Sequence, residues 1–336
     1  MISTDVTILK TLLQAGDAFV SGSALAKDLG MTRVGVWSRL AKLREAGFVF
    51  EAIRHRGYRL TEEPGKLCEP LVLAYVTNAG VAETRIVVLP EIDSTNSEAE
   101  RRLADAAETP FVVIAGSQTR GRGRLGRKWH SPPQGNLYMS FAFRPRRSPG
   151  RMQSLTLRLG LAVCRFLDKA YAVPVKVKWP NDLIIDGKKV AGMLTEARVD
   201  ADRMRDLVFG IGINVLGGMD DWPADIAARA TTLARHAPAP IRLNRLAAEL
   251  IPVVTAEYSA YLENLEKPRR PELPDAWTEY DALRGLKVTA HRGGEPVRGT
   301  ARGIDAEGNL ILEGPDGGRT AVNSGEVSLG TGSVLF

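Results

Sequence analysis

A short glycine-rich segment, residues 116–129, contains five Lys or Arg side chains and no acidic residue. Apolar runs at residues 111–115 and 136–143 lie on either side of it, and both have the length and composition of buried strands. The chain is therefore expected to fold so that a basic loop is held at the edge of a packed sheet. Because glycine allows close backbone approach and guanidinium groups clamp phosphate or carboxylate oxygens in pairs, this loop suits a phosphorylated reactant.

Two other interpretations fit the segment less well. Gly121 to Gly126 matches the dinucleotide fingerprint G-x-G-x-x-G, which requires a helix that begins at the glycines. Pro132 and Pro133 interrupt any such helix, and no acidic residue follows about twenty residues on, so this interpretation is rejected. Composition alone also allows a flexible RNA-binding arm, but the flanking strands favour an anchored loop.

The composition indicates a globular protein. Of the 336 residues, 44% are hydrophobic and 25% are charged, and the length predicts two or three domains. No apolar run approaches the ~20 residues that span a bilayer, and the amino terminus lacks a secretory pattern. Cys68 and Cys164 are expected to be reduced thiols in a cytoplasmic protein. A net charge of +6 and a pI near 9.4 favour polyanionic partners.

Residues 1–65 have the pattern of a winged helix-turn-helix domain. Ser21 and Thr32 each precede a predicted helix as an amino-terminal cap, and a hairpin is predicted at residues 48–60. Residues 33–59 contain seven Lys or Arg and two acidic residues, a charge balance that favours binding to the phosphate backbone of DNA. A helical interaction domain with a charged face is the alternative. The candidate DNA-binding residues are Arg33, Arg39, Lys42, Arg54 and Arg56.

A second polar cluster occupies residues 93–98. Thr95 and Glu98 have the spacing of a capping box, so a strand is predicted to pass into the amino end of a helix there. A helix cap alone most often explains such a cluster, but its amides and hydroxyls can also hold a polar ligand.

A third cluster follows an alternating strand at residues 175–179. The chain turns at Pro180, and a hairpin is predicted at residues 183–196, which brings Asn181, Asp182 and Lys189 close together. Turn chemistry and solvent exposure alone would also account for these three side chains. A further strand at 208–214 has its glycines on one face, which leaves room for a ligand or a neighbouring element.

The carboxyl-terminal segment, from about residue 285, has short alternating runs separated by glycine-containing turns, one of them at Gly293-Gly294. This pattern predicts a small antiparallel barrel. The segment offers no catalytic cluster of its own.

The motifs at residues 93–96, 118–129, 178–182, 189–192 and 212–214 occur in the order found in biotin protein ligases. The chain resembles that family over about residues 84–275, and its winged domain resembles that of the bifunctional members that also repress the biotin operon. The resemblance implies a multidomain α+β fold with three parts: a winged helix-turn-helix domain at 1–65, a mixed α/β catalytic domain of the biotin/lipoate ligase type at 66–280, and a small SH3-like β-barrel at 281–336.

The resemblance also implies a two-step reaction that uses ATP and Mg²⁺ as cofactors and biotin as substrate. The biotin carboxylate attacks the α-phosphate of ATP to give biotinyl-adenylate, and a lysine of a biotin carboxyl carrier protein then takes the acyl group. The implied catalytic residues are Arg124, Arg127, Lys189, Asp182 and Asn181. The implied biotin- and adenylate-binding residues are Ser94, Thr95, Asn96, Gln118, Arg122, Gly123, Arg124, Lys189, Gly192 and Asn214.

The motifs also bear on the metal ion, the adenine and the partners. No compact acidic ligand motif stands out, so Mg²⁺ is expected to be held mainly by the nucleotide and water. Residues 230–233 lack the tryptophan that other members can place over the adenine, which leaves Trp222 as one candidate cover. The implied partners are the carrier protein, operator DNA and a second copy in a ligand-promoted homodimer, with no membrane association. A biotin-sensing repressor without catalytic activity is the alternative, and the intact basic and acidic site residues favour the enzyme.

Overall fold

The computed structural model describes residues 3–78, 84–133, 135–217, 222–266, 273–291 and 295–329. The amino-terminal unit contains three helices and an antiparallel hairpin: α1 (Thr4–Ala15), α2 (Gly22–Asp28), α3 (Arg33–Glu45), β1 (Val49–Ile53) and β2 (Gly57–Glu62). Ser21 and Thr32 cap α2 and α3 through their hydroxyl oxygens, as predicted. The apolar stripe of α3 is buried, so its opposite face is left to solvent. The predicted winged helix-turn-helix fold is confirmed.

Helix α4 (Glu69–Asn78) connects this unit to the rest of the molecule. Leu71 and Ala74 pack into the core of the winged unit. Val72 and Val76, on the other side of the same helix, pack into the main core. The two hydrophobic cores are therefore joined through one shared helix.

The central unit is built on a seven-stranded mixed sheet with the strand order β3-β4-β5-β9-β8-β7-β6. Strands β3 and β4 are parallel, and every other neighbouring pair is antiparallel. Its elements are β3 (Arg85–Leu89), α5 (Thr95–Ala104), β4 (Phe111–Ala115), β5 (Leu137–Phe143), α6 (Leu155–Tyr171), β6 (Lys176–Lys178), β7 (Asp182–Ile185), β8 (Lys188–Asp200), β9 (Arg203–Ile213), α7 (Ala224–Arg229), α8 (Leu243–Asn264) and α9 (Leu273–Thr278). Helices α6 and α8 pack together in the main core, and α5 packs on β4, β5 and β9.

The carboxyl-terminal unit is a five-stranded antiparallel sheet with the order β13-β12-β11-β10-β14. Its strands are β10 (Lys287–His291), β11 (Val297–Ile304), β12 (Leu310–Glu313), β13 (Arg319–Val322) and β14 (Glu326–Leu329). Strands β10 to β13 coincide with the short alternating runs that predicted this unit, and β14 is a further strand that was not predicted. The predicted turn at Gly293-Gly294 lies outside the described residues. The Trp179 indole donates a hydrogen bond to the Gly308 carbonyl at 3.0 Å, which ties this unit to the central sheet.

One local prediction is wrong. Ser94, rather than Thr95, is the residue that precedes α5, and the Ser94 side chain makes no cap hydrogen bond. Glu98 does not reach back to the backbone, because its carboxylate pairs with Arg101 and Arg102 one turn further on. The predicted passage from a strand into the amino end of a helix is confirmed, without the capping box. In the described part of the chain, no helix has the length and apolar character needed to cross a bilayer.

Candidate active site

The three polar clusters meet at one cavity of about 810 Å³ between the central sheet and the carboxyl-terminal unit. Every residue predicted for catalysis or ligand binding lines it: Ser94, Thr95, Asn96, Gln118, Arg122, Gly123, Arg124, Arg127, Asn181, Asp182, Lys189, Gly192 and Asn214. The sheet explains this convergence. Because β8 lies between β7 and β9, it brings the turn at Asn181, the hairpin at Lys189 and the end of β9 to the same place.

The basic loop between β4 and β5 is held as a narrow antiparallel turn. The amide of Trp129 donates to the Gly121 carbonyl at 2.9 Å, and the amide of Gly123 donates to the Arg127 carbonyl at 2.7 Å. A single 3-10 turn spans Arg124–Gly126, so no α-helix follows the glycines and the rejected dinucleotide fold is absent from this described segment. The loop is anchored in the sheet, as the flanking strands predicted.

Glycines on β8 and β9 make room for the indole of Trp129. A Cβ added to Gly192 or Gly212 would lie within 2.7 Å of that ring. The predicted glycine face of β9 therefore accommodates a neighbouring aromatic side chain. Gly210, further along the same face, accommodates Asn96, whose Oδ1 would lie 2.1 Å from an added Cβ. Any larger residue at these positions would push the loop or the α5 end away from the sheet.

A buried hydrogen-bond network forms the base of the cavity. Ser140 Oγ donates to Asn96 Oδ1 at 2.5 Å and lies 2.7 Å from Thr95 Oγ1. Gln118 Oε1 accepts from the Thr95 amide at 2.8 Å, and Gln118 Nε2 donates to Ser131 Oγ at 2.9 Å. Because these side chains position one another, the base can present fixed donors and acceptors to a polar ring.

Ion pairs and hydrogen bonds organise the mouth of the cavity. Lys189 Nζ lies 2.6 Å from Asp182 Oδ1, as the hairpin prediction required, and 5.1 Å from the centroid of the Trp129 ring. Arg124 Nη1 donates to Asn181 Oδ1 at 3.0 Å. Arg127 pairs with Glu326 of β14 at 2.5 Å, so the carboxyl-terminal unit contacts the tip of the basic loop. The predicted approach of Asn181, Asp182 and Lys189 is thus present in the structure.

The charge balance of the lining is strongly positive. Two carboxylates, Asp182 and Glu326, belong to the described lining. Seven cationic side chains accompany them: Arg122, Arg124, Arg127, Lys128, Lys178, Lys189 and Arg229. Burial lowers the pKa of Lys178 and the pKa of Arg124 below their usual values, because water is withdrawn from the charged form. An enclosed cationic site of this kind favours a polyanionic ligand such as a nucleoside triphosphate.

Sequence reasoning missed four residues that line this cavity or tie it together. Lys178 alternates with the apolar residues of the strand at 175–179, yet its exposed fraction is 6% and it lines the cavity. Trp129 was noted only as the end of the basic segment. Neither Glu196 nor Glu326 was predicted for the site, because they contact the loop from positions about 70 and 200 residues away in sequence. Trp222, already considered for the adenine, also lines the cavity.

The candidate DNA-binding residues lie on the winged unit, away from the cavity lining. Arg33 and Lys42 are exposed on α3, and Arg54 is exposed at the tip of the hairpin. Arg39 lies 3.7 Å from Asp5 of α1, so part of its charge is already paired. Arg56 stacks over the Phe19 ring at 4.5 Å. Four of the five remain clear of ion pairs among the described residues, and Arg39 is the exception.

The fold and the site together define a ligase-type catalytic domain joined to a helix-turn-helix domain. The biotin/lipoate A/B protein ligase family model matches residues 88–214, the biotin protein ligase carboxyl-terminal domain matches 285–330, and a helix-turn-helix domain matches 6–59. The chain belongs to the biotin protein ligase family, because full-length relatives share more than 30% of its residues.

Two of those relatives are bifunctional ligase/repressors. The protein named BirA in Bacillus subtilis is 32% identical over 96% of this chain and 98% of its own length. The protein of the same name in Escherichia coli is 33% identical over 94% of this chain and 95% of its own length. The solved biotin protein ligase of Aquifex aeolicus in complex with biotin and ATP is 31% identical, with a TM-score of 0.59 over 73% of this chain and 98% of that one.

Proposed function

We propose that this chain is an ATP-dependent biotin protein ligase that forms biotinyl-adenylate and transfers biotin to a lysine of a biotin carboxyl carrier protein. The convergence of all the implied site residues on one cationic cavity carries this proposal. The family membership and the likeness to a ligase that holds biotin and ATP support it. The functional division that follows is DNA binding by residues 1–65, catalysis by 66–280 and a covering role for 281–336.

In the first step a carboxylate oxygen of biotin attacks the α-phosphorus of ATP, and the bond to pyrophosphate breaks. Carboxylate and triphosphate repel each other, so the step needs cations that grip more strongly as negative charge gathers on the phosphorus oxygens. Arg124, Arg127 and Lys189 are the residues proposed for this role. Their distances to Asn181, Glu326 and Asp182 support it, because those partners hold each cation at the cavity mouth.

Magnesium accompanies ATP in this proposal and supplies further charge neutralisation at the phosphates. Within the described ranges, no group of three or more His, Cys, Asp or Glu side chains has the arrangement of a metal site. The protein groups at hand are single carboxylates, Asp182 and Glu326. Such a donor set fits an ion that is held mainly by the nucleotide and by water.

Biotin is assigned to the base of the cavity, where Ser94, Thr95, Asn96 and Gln118 would contact its polar ring. Arg122, Gly123, Gly192 and Asn214 are proposed to surround the biotin chain and the adenylate, and their position in the cavity lining supports this assignment. A mixed anhydride hydrolyses readily, so an ordered basic loop would protect it by excluding water. Trp222 is the candidate for covering the adenine, since its exposed fraction is 8% and it borders the same cavity.

In the second step the carrier lysine attacks the acyl carbon, AMP leaves, and the amine loses a proton. Asp182 is proposed to orient or polarise that amine. Its ion pair with Lys189 supports an orienting role, because the cation holds the carboxylate in a fixed position. Asn181 fixes the same turn by donating from Nδ2 to the Met193 carbonyl at 2.8 Å.

The winged unit is proposed to bind operator DNA as part of a biotin-responsive repressor. Arg33, Arg39, Lys42, Arg54 and Arg56 are the proposed DNA contacts. Binding of the adenylate is proposed to promote a homodimer that places two winged units on a palindromic operator. Sedimentation with and without biotin and ATP tests the dimer, and an unchanged monomer fraction would rule it out.

A cytoplasmic location is also proposed, supported by the two free thiols, Cys68 and Cys164.

Mass spectrometry of an acceptor distinguishes the enzyme from the non-catalytic sensor. The protein is mixed with biotin, MgATP and an isolated biotin carboxyl carrier domain, and the intact acceptor mass is followed over time. We expect a gain of one biotinyl group that requires ATP and is lost when the acceptor lysine is replaced by arginine. A sensor would bind biotin and leave the acceptor mass unchanged.

A further inference from the structure

Glu196 on β8 connects the base of the cavity to the basic loop. Its Oε2 accepts a hydrogen bond from Asn96 Nδ2 at 2.7 Å, and the same oxygen lies 2.8 Å from Arg122 Nη2. Asn96 belongs to the buried network at the base, and Arg122 is the first arginine after Gly121 in the loop. Glu196 itself is absent from the described lining of the cavity. The carboxylate therefore lies behind the site and contacts it at two points.

Arg122 is held by a second carboxylate as well. Arg122 Nη2 lies 3.1 Å from Glu100 Oε1 of α5. The same nitrogen is therefore held between two carboxylates, Glu100 of α5 and Glu196 of β8. Its Nε atom is buried and makes no hydrogen bond to any described residue. The outer end of the side chain is thus fixed between α5 and β8, and Nε is enclosed behind it.

We propose that Glu196 is a positioning residue that couples the biotin end of the site to the closure of the basic loop. The proposal rests on the ligase function proposed above. The side-chain amide of Asn96 makes both contacts: its oxygen accepts a hydrogen bond from Ser140, and its nitrogen donates one to Glu196. Fixing Asn96 by a ligand at the base therefore fixes the Glu196 carboxylate, and this carboxylate sets the position of Arg122. The two ends of the site are ordered together because they share one charged acceptor.

Glu100 provides an internal comparison, since it contacts Arg122 but not Asn96 among the residues that the structure describes. If Glu196 only balanced the charge of Arg122, removal of either carboxylate would have the same effect. Under our proposal the two removals differ. Glu196→Gln affects biotin binding and loop order, whereas Glu100→Gln affects loop order alone.

The experiment compares the full-length wild-type protein with Glu196→Gln, Glu100→Gln, Arg122→Gln and the Glu196→Gln/Arg122→Gln double variant. Asp200→Asn, an exposed change at the end of the same strand, is the matched control. The first measurement is the rate of trypsin cleavage after the arginines of residues 120–127, with and without biotin and ATP. The second is the KM for biotin and the KM for ATP in carrier biotinylation.

We expect Glu196→Gln to raise loop cleavage in the ligand-free protein by about tenfold, the size of one charged hydrogen bond. The KM for biotin should rise by a similar factor, while the KM for ATP changes less than about twofold. Glu100→Gln should raise cleavage with little change in the KM for biotin. Trypsin should cleave the double variant no faster than Arg122→Gln alone, because both substitutions break the same contact between Glu196 and Arg122.

Equal kinetic effects of Glu196→Gln and Glu100→Gln, or additive effects in the double variant, would overturn the proposal. Arg122→Lys gives an independent test in which β8 is unchanged. Lysine keeps the charge but lacks the rigid, planar guanidinium that is held between the two carboxylates. We expect loop cleavage to increase, and cleavage at the wild-type rate would contradict the proposed coupling. Failure of the wild-type protein to biotinylate the carrier would instead reject the proposed function. Loop cleavage in the ligand-free variants would still report on the Glu196 contact.

Discussion

Lys178 illustrates how a residue's role depends on what covers its strand. Alternation along β6 predicts one apolar and one solvent face, yet Lys178 has an exposed fraction of only 6%. Trp179, the next residue, bonds to Gly308, and the cavity beside β6 is bounded by His291 and Glu326. The carboxyl-terminal unit thus covers a face that sequence alternation leaves open. No local pattern contains that information, because the covering residues lie more than one hundred positions away.

The buried charge of Lys178 predicts an alkaline limit on adenylate formation. Burial lowers its pKa, so the cation is lost at a lower pH than for a free lysine. If the cation helps to hold the triphosphate, the rate is highest below this lowered pKa and falls as the pH rises through it. Pyrophosphate release with saturating biotin and ATP, measured from about pH 7 to about pH 10, checks this expectation.

Lys178→Arg is the informative variant for this measurement, because arginine keeps its charge over the whole range. We expect its alkaline limb to move to higher pH. We expect Lys178→Met to lower the rate about 100-fold where Lys178 is charged, and by less at the alkaline end, where the wild-type lysine has also lost its charge. An identical alkaline limb in the wild-type protein and in Lys178→Arg would show that another group titrates. Stability must be followed in parallel, since loss of a buried charge can also strengthen the fold.

Individual elements were predicted well where the signal is local. The caps of α2 and α3 and the hairpin formed by β7 and β8 follow from residues within a few positions of one another. The capping box at Thr95 failed because Arg101 and Arg102 compete for Glu98 from the next turn. Many of the residues that line the cavity were also named from the sequence, but only through the resemblance of the motif order to that of biotin protein ligases; Lys178, Trp129 and Glu326 were missed.

The hairpin formed by β1 and β2 presents two arginines that can contact DNA. Arg54 is exposed at its tip, and Arg56 lies beside it over Phe19, so both can approach a phosphate backbone. Replacing both with glutamine should weaken binding to duplex DNA and reduce the slope of log affinity against log salt by up to about 1.8, since each phosphate contact contributes about 0.9. Titration of a labelled duplex at several salt concentrations measures this slope.

Lys287→Gln, an exposed change on β10, is the control for that titration. It should leave the slope as in the wild-type protein, because β10 belongs to the carboxyl-terminal unit. A full wild-type slope in the Arg54/Arg56 variant would remove the hairpin from the proposed DNA interface. The helix α3 would then have to supply the backbone contacts alone.

At the scale of the whole molecule, the winged unit and the catalytic unit are firmly connected. Helix α4 contributes to both hydrophobic cores. Asn244 of α8, which is almost fully buried, accepts from the Cys68 amide at 2.7 Å and donates to the Lys66 carbonyl at 3.1 Å. The segment that precedes α4 is therefore fixed to the catalytic unit. This connection supports a link between ligand binding in the cavity and DNA binding by the winged unit, although the two sites share no residues.

We propose that the basic loop of the whole molecule encloses activated biotin until a carrier lysine reacts with it. Retention of the intermediate tests this most directly: the protein is incubated with biotin and MgATP, passed through a desalting column, and its bound ligand is identified by mass. We predict about one biotinyl-adenylate per chain in the wild-type protein, because the ordered loop retains the intermediate in the cavity. Arg124→Gly should release it at least about tenfold faster and leave DNA affinity nearly unchanged. Recovery of no adenylate from the wild-type protein, or equal losses of adenylate retention and DNA binding in the variant, would contradict the account.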